Sequence, residues 1–561
     1  MWFRRRGLRV REIEPDEIFL DSSNLPKLDA GRLEGRVERP VAPVAIMMIG
    51  VLFALSMTAF AAQAFNLQVM NGEEYADISR NNRLERDVIF ATRGIITDRN
   101  GRELAWNELD TDPAASSTLP YALRHYIESP GFAHLLGFVR YPKADASGSW
   151  WREEYVGVAG MEGVHDDTLA GVNGSSMAET NARGELVRED IVDPPEDGAT
   201  LRLSVDADIQ AELARALITH AADQGFQGGA AAIMDVRTGE LITLVSFPEY
   251  DNAAFANGDS EKITAANNDD ATPLLNRAVG GLYAPGSIVK PMFAAAALVE
   301  GIIDPEKEIL SEGSISIPNP YFPDKPSIFR DWRAHGWTDM RRALAVSSDV
   351  YFYAIGGGYK DQRGLGIQKI DEWAKRFGFS APTGIALGGE PSGTIPTPEW
   401  KRQVFDDEWR LGDTYNTAIG QYGFQVTPLQ VVRYVAGIAS GKLTTPQLIA
   451  GEEGEMTDLG IDESQLKIVR EGMRHAVTEG GTAAALNMGG IDIAGKTGTA
   501  QVGTRNQYMN SWVVGFWPVE TPKYAFAVVL EKAPAGTLSG ASPAMAPFFY
   551  WLRENKPEYV N

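Results

Sequence analysis

The sequence predicts an α+β protein: a single N-terminal transmembrane helix, an irregular α+β module, and a larger domain with one antiparallel β-sheet flanked by helices. Three observations carry that expectation. An uncharged run, VAPVAIMMIGVLFALSMTAFAAQAFNLQV, follows an Arg-rich start. A hairpin pattern, GGAAAIMDVRTGELITLVSF, and three strand-like segments, IDIAGKTGTAQV, MNSWVVGFWPV and KYAFAVVLEKA, stand at the two ends of one region. Ala-rich helical stretches, PMFAAAALVEG and RRALAVSSDVYFYAIGGG among them, lie between, a layout that suits one sheet covered by helices.

The apolar run is uncharged from Val41 past Val69, longer than the roughly 20 residues a helix needs to cross hydrocarbon. A cleaved leader would carry an apolar core of only about 7–15 residues, nearer the start, so residues 41–65 read as an uncleaved anchor. The Arg-rich MWFRRRGLRVRE makes residues 1–40 a cytoplasmic tail and puts the remainder outside the membrane. Residues 66–198 open on a polar amphipathic helix, NLQVMNGEEYADISRNN, run into extended segments with a turn at Asn100-Gly101, and stay rich in Gly, Asp and Pro. From Ala199 a short strand and a helix, TLRLSVDADIQAELARALITHAA, begin the second domain, residues 199–561. The hairpin after it turns at Arg237-Thr238-Gly239. No repeat of 20–50 residues runs through the chain.

With 561 residues the chain is long enough for several domains and a large core. A formal charge of −23 and the lack of any long Lys/Arg block argue against a nucleic-acid binder. The absence of cysteine excludes disulfides, thiol catalysis and Cys-based zinc sites.

Chemistry concentrates in three places. In LNRAVGGLYAPGSIVKPMFAAAALVEG, Ser287 and Lys290 follow Pro285-Gly286 at the start of a helix. Spacing of three puts both side chains on one face, and a lysine there activates a serine if burial or nearby positive charge lowers its pKa. The helix N-terminus aims N–H groups at any oxyanion formed beside Ser287. Ser-Xaa-Xaa-Lys alone says little: Ser464 and Lys467 repeat it in ESQLKIVREGMRHA, without a preceding Gly turn, and read as a helix start with a solvated lysine. In LAVSSDVYFY, Ser347, Ser348 and Asp349 suggest either a hydrolase pair or a helix satisfying its own backbone. In IAGKTGTAQV, Lys496, Thr497, Gly498 and Thr499 fall on a strand whose glycine admits a ligand backbone; an extended peptide can pair with it while Lys496 and the hydroxyls meet a carboxylate.

Taken in order, Ser287-Xaa-Xaa-Lys290, Ser347-Ser348-Asp349 and Lys496-Thr497-Gly498 match the active-serine set of penicillin-binding proteins and class A β-lactamases. With RGIITDRNGRELAWN, GVAGMEGVHDDTLAGVNG, AAIMDVRTGELITLVSFPEYD and GDTYNTAIGQ, the chain resembles a class B penicillin-binding protein from the anchor to about Leu552. The resemblance implies an elongated α+β pedestal over 66–198 and a penicillin-binding transpeptidase domain over 199–561, serine β-lactamase-like in fold. It implies a D,D-transpeptidase that cross-links peptidoglycan stem peptides and is inhibited by β-lactams, with no cofactor. Ser287 would attack the penultimate D-Ala carbonyl, Lys290 would be the general base, and Ser347 would relay a proton between Lys290, Lys496 and the departing amine. Asp349 would fill the polar third position. Lys496 and Thr497 would help bind the terminal carboxylate, Thr499 would add recognition, and the N–H groups of Ser287 and Thr499 would form the oxyanion hole beside Gly498.

Asp349 stands where many relatives carry Asn, which resembles the penicillin-binding protein 2 subgroup of cell elongation. That subgroup implies a SEDS glycosyltransferase of the RodA type and elongation proteins such as MreC as partners, lipid-linked glycan strands as substrate context, and a single-pass inner-membrane location. The stretch from Asn107 to Gly160 is short for the subgroup, leaving little room for a head subdomain. Some Gram-negative members bind zinc near the site through Asp, His and Cys; here Asp331 stands in RDWRAHGW with a displaced His335 and no Cys, so no zinc is expected. His134, His165 and His335 read as packing or surface residues, and Trp150-Trp151 as core or interface packing. A β-lactamase or β-lactam sensor on the same fold lacks an identifiable deacylating Glu. A non-catalytic scaffold that activates a glycosyltransferase sits poorly with an intact Ser287, Lys290 and Lys496.

Overall fold

The computed structural model describes residues 42–73, 84–109, 119–180, 186–319, 322 and 324–560. The tail over 1–40 and the end of the amphipathic segment after the anchor lie outside them. The chain divides into two compact units, Met1–Glu85 with Glu179–Glu185, and Arg86–Ala178 with Leu186–Asn561.

In the first unit, helix α1 (Pro43–Phe65) begins with a proline in its first turn, carries no acidic residue there, and buries no residue. Its 23 residues make about 35 Å of helix, enough to cross a bilayer, and a π-helical turn, Asn66–Met70, extends it.

In the second unit, short strands pair Leu201–Arg202, Ile96–Thr97, Glu103–Glu108 and Leu123–Tyr126 in that order. The two motifs quoted from this region meet in a buried charge cluster. Glu162 receives Arg93 Nε at 2.6 Å and Arg124 Nε at 2.7 Å, with all three side chains out of solvent. Asp98 holds the turn at Asn100-Gly101 through the N–H groups of Asn100 and Arg102, and Asn100 Nδ2 donates to Asp206 at 3.0 Å. Asp206 in turn caps α2 (Ala207–Gln224), which ends on left-handed Gly225.

The larger part of this unit is built on a five-stranded antiparallel sheet: β1 (Gly228–Asp235), β2 (Leu241–Phe247), β3 (Ala494–Val502), β4 (Tyr508–Trp517) and β5 (Tyr524–Pro534), in the order β2-β1-β5-β4-β3. The predicted hairpin forms β1 and β2, paired Ala232 to Leu244, and β1 pairs β5, Ala232 to Ala527. Every residue of β1 and β2 is buried, as expected of strands covered on both faces. Between the hairpin and β3 most of the regular structure is helical. Helix α3 (Lys290–Val299) is apolar and Ala-rich all round, and buries every residue from Lys290 to Leu298, so it runs through the core. Helices α4 (Met340–Val346) and α5 (Asp349–Gly357) pack against it, α6 (Pro428–Ser440) lies on β5 and β1, α7 (Glu463–Thr478) packs against α3 and α4, and α8 (Ala541–Asn555) packs against α2.

One expectation changes here. The stretch RRALAVSSDVYFYAIGGG reads as one helix, yet it forms two, because Ser347 takes left-handed backbone (φ +61°) and ends α4, while Ser348 caps α5 by accepting from Tyr351 N at 3.3 Å. The second Ser-Xaa-Xaa-Lys lies at the start of α7 behind the Asp462 cap, with Lys467 exposed.

Candidate active site

Ser287 sits half-buried in a single 3-10 turn, Gly286–Val289, that runs directly into α3. Residues three apart eclipse in a 3-10 turn, so Ser287 and Lys290 share a face more closely than in an α-helix. Two glycine contacts set this turn. Gly286 N donates to Gly420 O at 2.9 Å, and a Cβ on Gly420, which has φ +74°, would run into the Gly286 carbonyl. On the other side a Cβ on Gly498 would stand 2.9 Å from Pro285 O, so the glycine of β3 lets the strand lie against the serine turn.

The left-handed break between α4 and α5 puts Ser347 and Asp349 beside this turn. Lys290, with no solvent exposure, donates to Asp349 Oδ1 at 2.6 Å, to Ser347 O at 2.8 Å and to Ser347 Oγ at 3.3 Å. From β3, Lys496 Nζ donates to Ser347 Oγ at 2.8 Å and to Thr497 O at 2.8 Å. Ser347 Oγ thus joins the two lysines. Burial pushes the Lys496 ammonium well below the ordinary lysine range, the Lys290 charge pushes it further, and Asp349 opposes both. Lys290 directs its hydrogen bonds to Ser347 and Asp349, and none reaches Ser287 among the described residues.

A cleft of about 650 Å³ opens over this arrangement, lined by Ser287, Ser347, Asp349, Thr497, Gly498 and Thr499. Lys290 and Lys496 lie beneath it, fully buried. Thr497 and Thr499 face the cleft, and Lys496 stands behind them. Thr497 Oγ1 donates to Thr482 Oγ1 at 2.6 Å. Strand β3 is an edge strand, and the edge not paired to β4 is available to an extended peptide.

The structure adds residues that sequence reasoning missed or misread. Ser348 donates to Asp331 Oδ2 at 2.9 Å while capping α5, and Val350 N donates to the same oxygen at 3.0 Å. Asp331, with a fully buried side chain, thus fixes the segment that carries Ser347 and Asp349. Trp332 lines the cleft and donates Nε1 to Val346 O at 3.2 Å. RDWRAHGW was the signal for both, although it pointed only toward metal. His335 Nε2 lies 3.4 Å from Asp331 Oδ1, but no group of three His, Cys, Asp or Glu side chains gathers there among the described residues. With Asp331 already engaged by Ser348 and Val350, the donor set does not fit a zinc ion.

The penicillin-binding protein transpeptidase domain family matches residues 229–550, and the penicillin-binding protein dimerisation domain family matches residues 113–203. The peptidoglycan D,D-transpeptidase MrdA of Haemophilus influenzae is 32% identical over 78% of this chain and 71% of its own length. Among solved structures, the penicillin-binding protein PBP2 of Helicobacter pylori in complex with MreC superposes with a TM-score of 0.70 at 27% identity, covering 84% of this chain and 99% of that one. A chain of a peptidoglycan synthase complex, described for its coordination of polymerization and crosslinking, gives 0.71 at 26% identity, over 91% and 99%.

Proposed function

Because the chain belongs to the penicillin-binding protein transpeptidase family, we propose that it is a membrane-anchored peptidoglycan D,D-transpeptidase of cell elongation, acting through an acyl-enzyme on Ser287. One observation carries this reading: Ser347 Oγ is joined to both Lys290 and Lys496 directly beneath the cleft that holds Ser287. Ser287 Oγ forms a bond to the penultimate D-Ala carbonyl carbon, and the bond from that carbon to the terminal D-Ala nitrogen breaks. Lys290 takes the serine proton as general base, and Ser347 relays a proton to the departing amine. Asp349 holds Lys290 in place, and Lys496, short of its ordinary proton affinity, completes the relay. The N–H groups of Ser287 and Thr499 stabilise the oxyanion, while Thr497 and Thr499 receive the terminal carboxylate. An amine from a neighbouring stem peptide then displaces Ser287, regenerating its hydroxyl.

The same reading divides the chain into a cytoplasmic tail over 1–40, an inner-membrane anchor over 41–65, a pedestal over 66–198 and the transpeptidase domain over 199–561. It gives the chain lipid-linked glycan strands and β-lactams as ligands, and a RodA-type SEDS glycosyltransferase and MreC as partners. The Arg-rich start, the apolar α1 and the likeness to a PBP2 solved with MreC support it.

The test is labelling of the detergent-solubilised protein with a fluorescent penicillin, followed by peptide mass spectrometry beside Ser287→Ala. A long-lived adduct on Ser287 that disappears in the variant is expected. Rapid turnover of the adduct would make the protein a β-lactamase, and no adduct would remove the catalytic reading.

A further inference from the structure

In the acyl-enzyme reading above, Ser347 Oγ hands a proton to the departing D-Ala nitrogen. By microscopic reversibility the acceptor nitrogen reaches the acyl carbon beside the same hydroxyl, so the acceptor enters the cleft at its Ser347 end. Two pieces of the cleft wall are fastened to the residues just before Ser347. Trp332 donates Nε1 to Val346 O at 3.2 Å, and Thr482 N donates to Ala345 O at 3.2 Å, with the exposed Ala484 and Ala485 lining the cleft just after it. Trp332 is 55% exposed, yet its ring is held on several sides. Besides the Nε1 bond, the Arg333 guanidinium lies 4.3 Å from the ring centroid and the His335 ring meets it edge-on at 5.2 Å. An indole fixed in this way loses little side-chain freedom when a ligand covers it. Asp349, already bonded to Lys290, is the one charged side chain among the residues that line the cleft. The wall beside Ser347 is otherwise the indole, two alanine methyl groups and the Thr482 side chain.

We propose that Trp332 is a specificity-determining residue of the second half-reaction: it selects an acceptor whose primary amine stands at the end of an unbranched aliphatic arm. The arm packs on the indole and on the methyl groups of Ala484 and Ala485, which carries the nitrogen down to the acyl carbon on Ser287. The inference deepens the acyl-enzyme reading and rests on it. The amine nitrogen bonds to the acyl carbon, and the bond from that carbon to Ser287 Oγ breaks. The surplus proton of the nitrogen passes to Ser347 Oγ and on to the lysines, and Lys290 returns one to Ser287. An apolar wall favours methylenes because each one it covers leaves water, whereas a polar substituent there loses its hydration without a partner.

The experiment acylates the full-length, detergent-solubilised protein with an N-benzoyl-D-alanyl thioglycolate, which releases its thiol as the acyl group passes to Ser287. The acyl-enzyme is then offered methylamine and pentylamine at equal concentration, amines of like basicity that differ in the length of the arm. Both draw on the same acyl-enzyme, so the ratio of the two amide products, read by mass spectrometry, does not depend on how fast Ser287 is acylated or on how much protein is folded. The wild type is expected to favour pentylamine by roughly tenfold, the scale of partly burying four further methylenes. Trp332→Ala is expected to bring the ratio close to one. Trp332→Phe, which keeps an aromatic face but cannot donate to Val346 O, is expected to retain most of the preference. Equal amounts of the two amides from the wild type, or none of either, overturn the acceptor role while leaving the acyl-enzyme standing. A preference that survives Trp332→Ala, or is lost equally in Trp332→Phe, overturns it as well, the latter by tracing the effect to the hydrogen bond. Failure of the wild type to release thiol, with no adduct on Ser287, overturns the acceptor role together with the reading it rests on.

Discussion

Lys290 Nζ stands 2.6 Å from Asp349 Oδ1, and the same ammonium reaches Ser347 Oγ at 3.3 Å. The carboxylate faces a cluster of two lysines, and it is the one group there that raises the proton affinity of Lys496, against burial and the Lys290 charge. Asp349→Asn removes that anion while keeping an oxygen acceptor for Lys290. The acylation rate of Ser287 should then reach its half-maximal value at lower pH than in the wild type, as seen by penicillin labelling across pH 5.5–10. The apparent midpoint belongs to the coupled cluster. A midpoint that moves upward would contradict the electrostatic account.

Lys496 is fully buried and held below its ordinary proton affinity, so a neutral amine is accessible to it and not to an arginine in its place. Lys496→Arg keeps a positive charge at every working pH. Acylation by penicillin should fall by about a hundredfold or more, within the range for loss of a proton-transfer partner, and should not recover as the pH is raised. Recovery at high pH would remove Lys496 from the relay.

Gly420 approaches the Gly286 carbonyl with left-handed backbone. Gly420→Ala pushes a methyl group into the turn that presents Ser287, combining steric overlap with backbone strain of roughly 2–4 kcal/mol. Chemical denaturation should show a loss on that scale, and labelling should slow even where the protein remains folded. Gly489→Ala, where nothing lies within 4 Å of the new methyl, is the comparison and should leave both unchanged.

His134 is buried, with its Nε2 3.3 Å from Pro248 O, and burial lowers its pKa from 6.5 to about 4, the Arg277 charge adding to the effect. Above pH 6.5 the ring is neutral in both folded and unfolded chains and contributes no pH dependence. As the pH falls from 6.5 toward 4 the unfolded chain binds the proton first, so stability declines by up to about 3 kcal/mol. His134→Gln should melt with a smaller difference between pH 4.5 and pH 7.5 than the wild type. An equal or larger difference would place the acid sensitivity elsewhere.

The serine motif, the lysine-threonine-glycine strand and the anchor were legible because each is written in consecutive residues. The hairpin at Thr238-Gly239, the Ala-rich α3 and the Asp206-capped α2 were readable for the same reason: turn chemistry and helical spacing are local. The double helix break at Ser347 and Ser348 was not, since the run from Arg341 to Gly357 has the apolar periodicity of one helix. Asp331, brought in from another segment to accept from Ser348 and Val350, stabilises the capped form. The orientation of Lys496 was equally out of reach, because alternation along a strand gives two faces without saying which meets the core.

The sequence by itself determined the anchor, the order of the three motifs and the residue types available for acyl transfer, because those depend on composition and spacing along the chain. Tertiary structure alone decided that Ser347 bridges the two lysines, that both lysines lie under the cleft, and that the α8 N-terminus ends at its far wall. Those arrangements join residues from 57 to 149 positions apart at the lysine cluster, and 30 apart where Ser511 holds α8. Their positions follow from how sheet and helices close around one core.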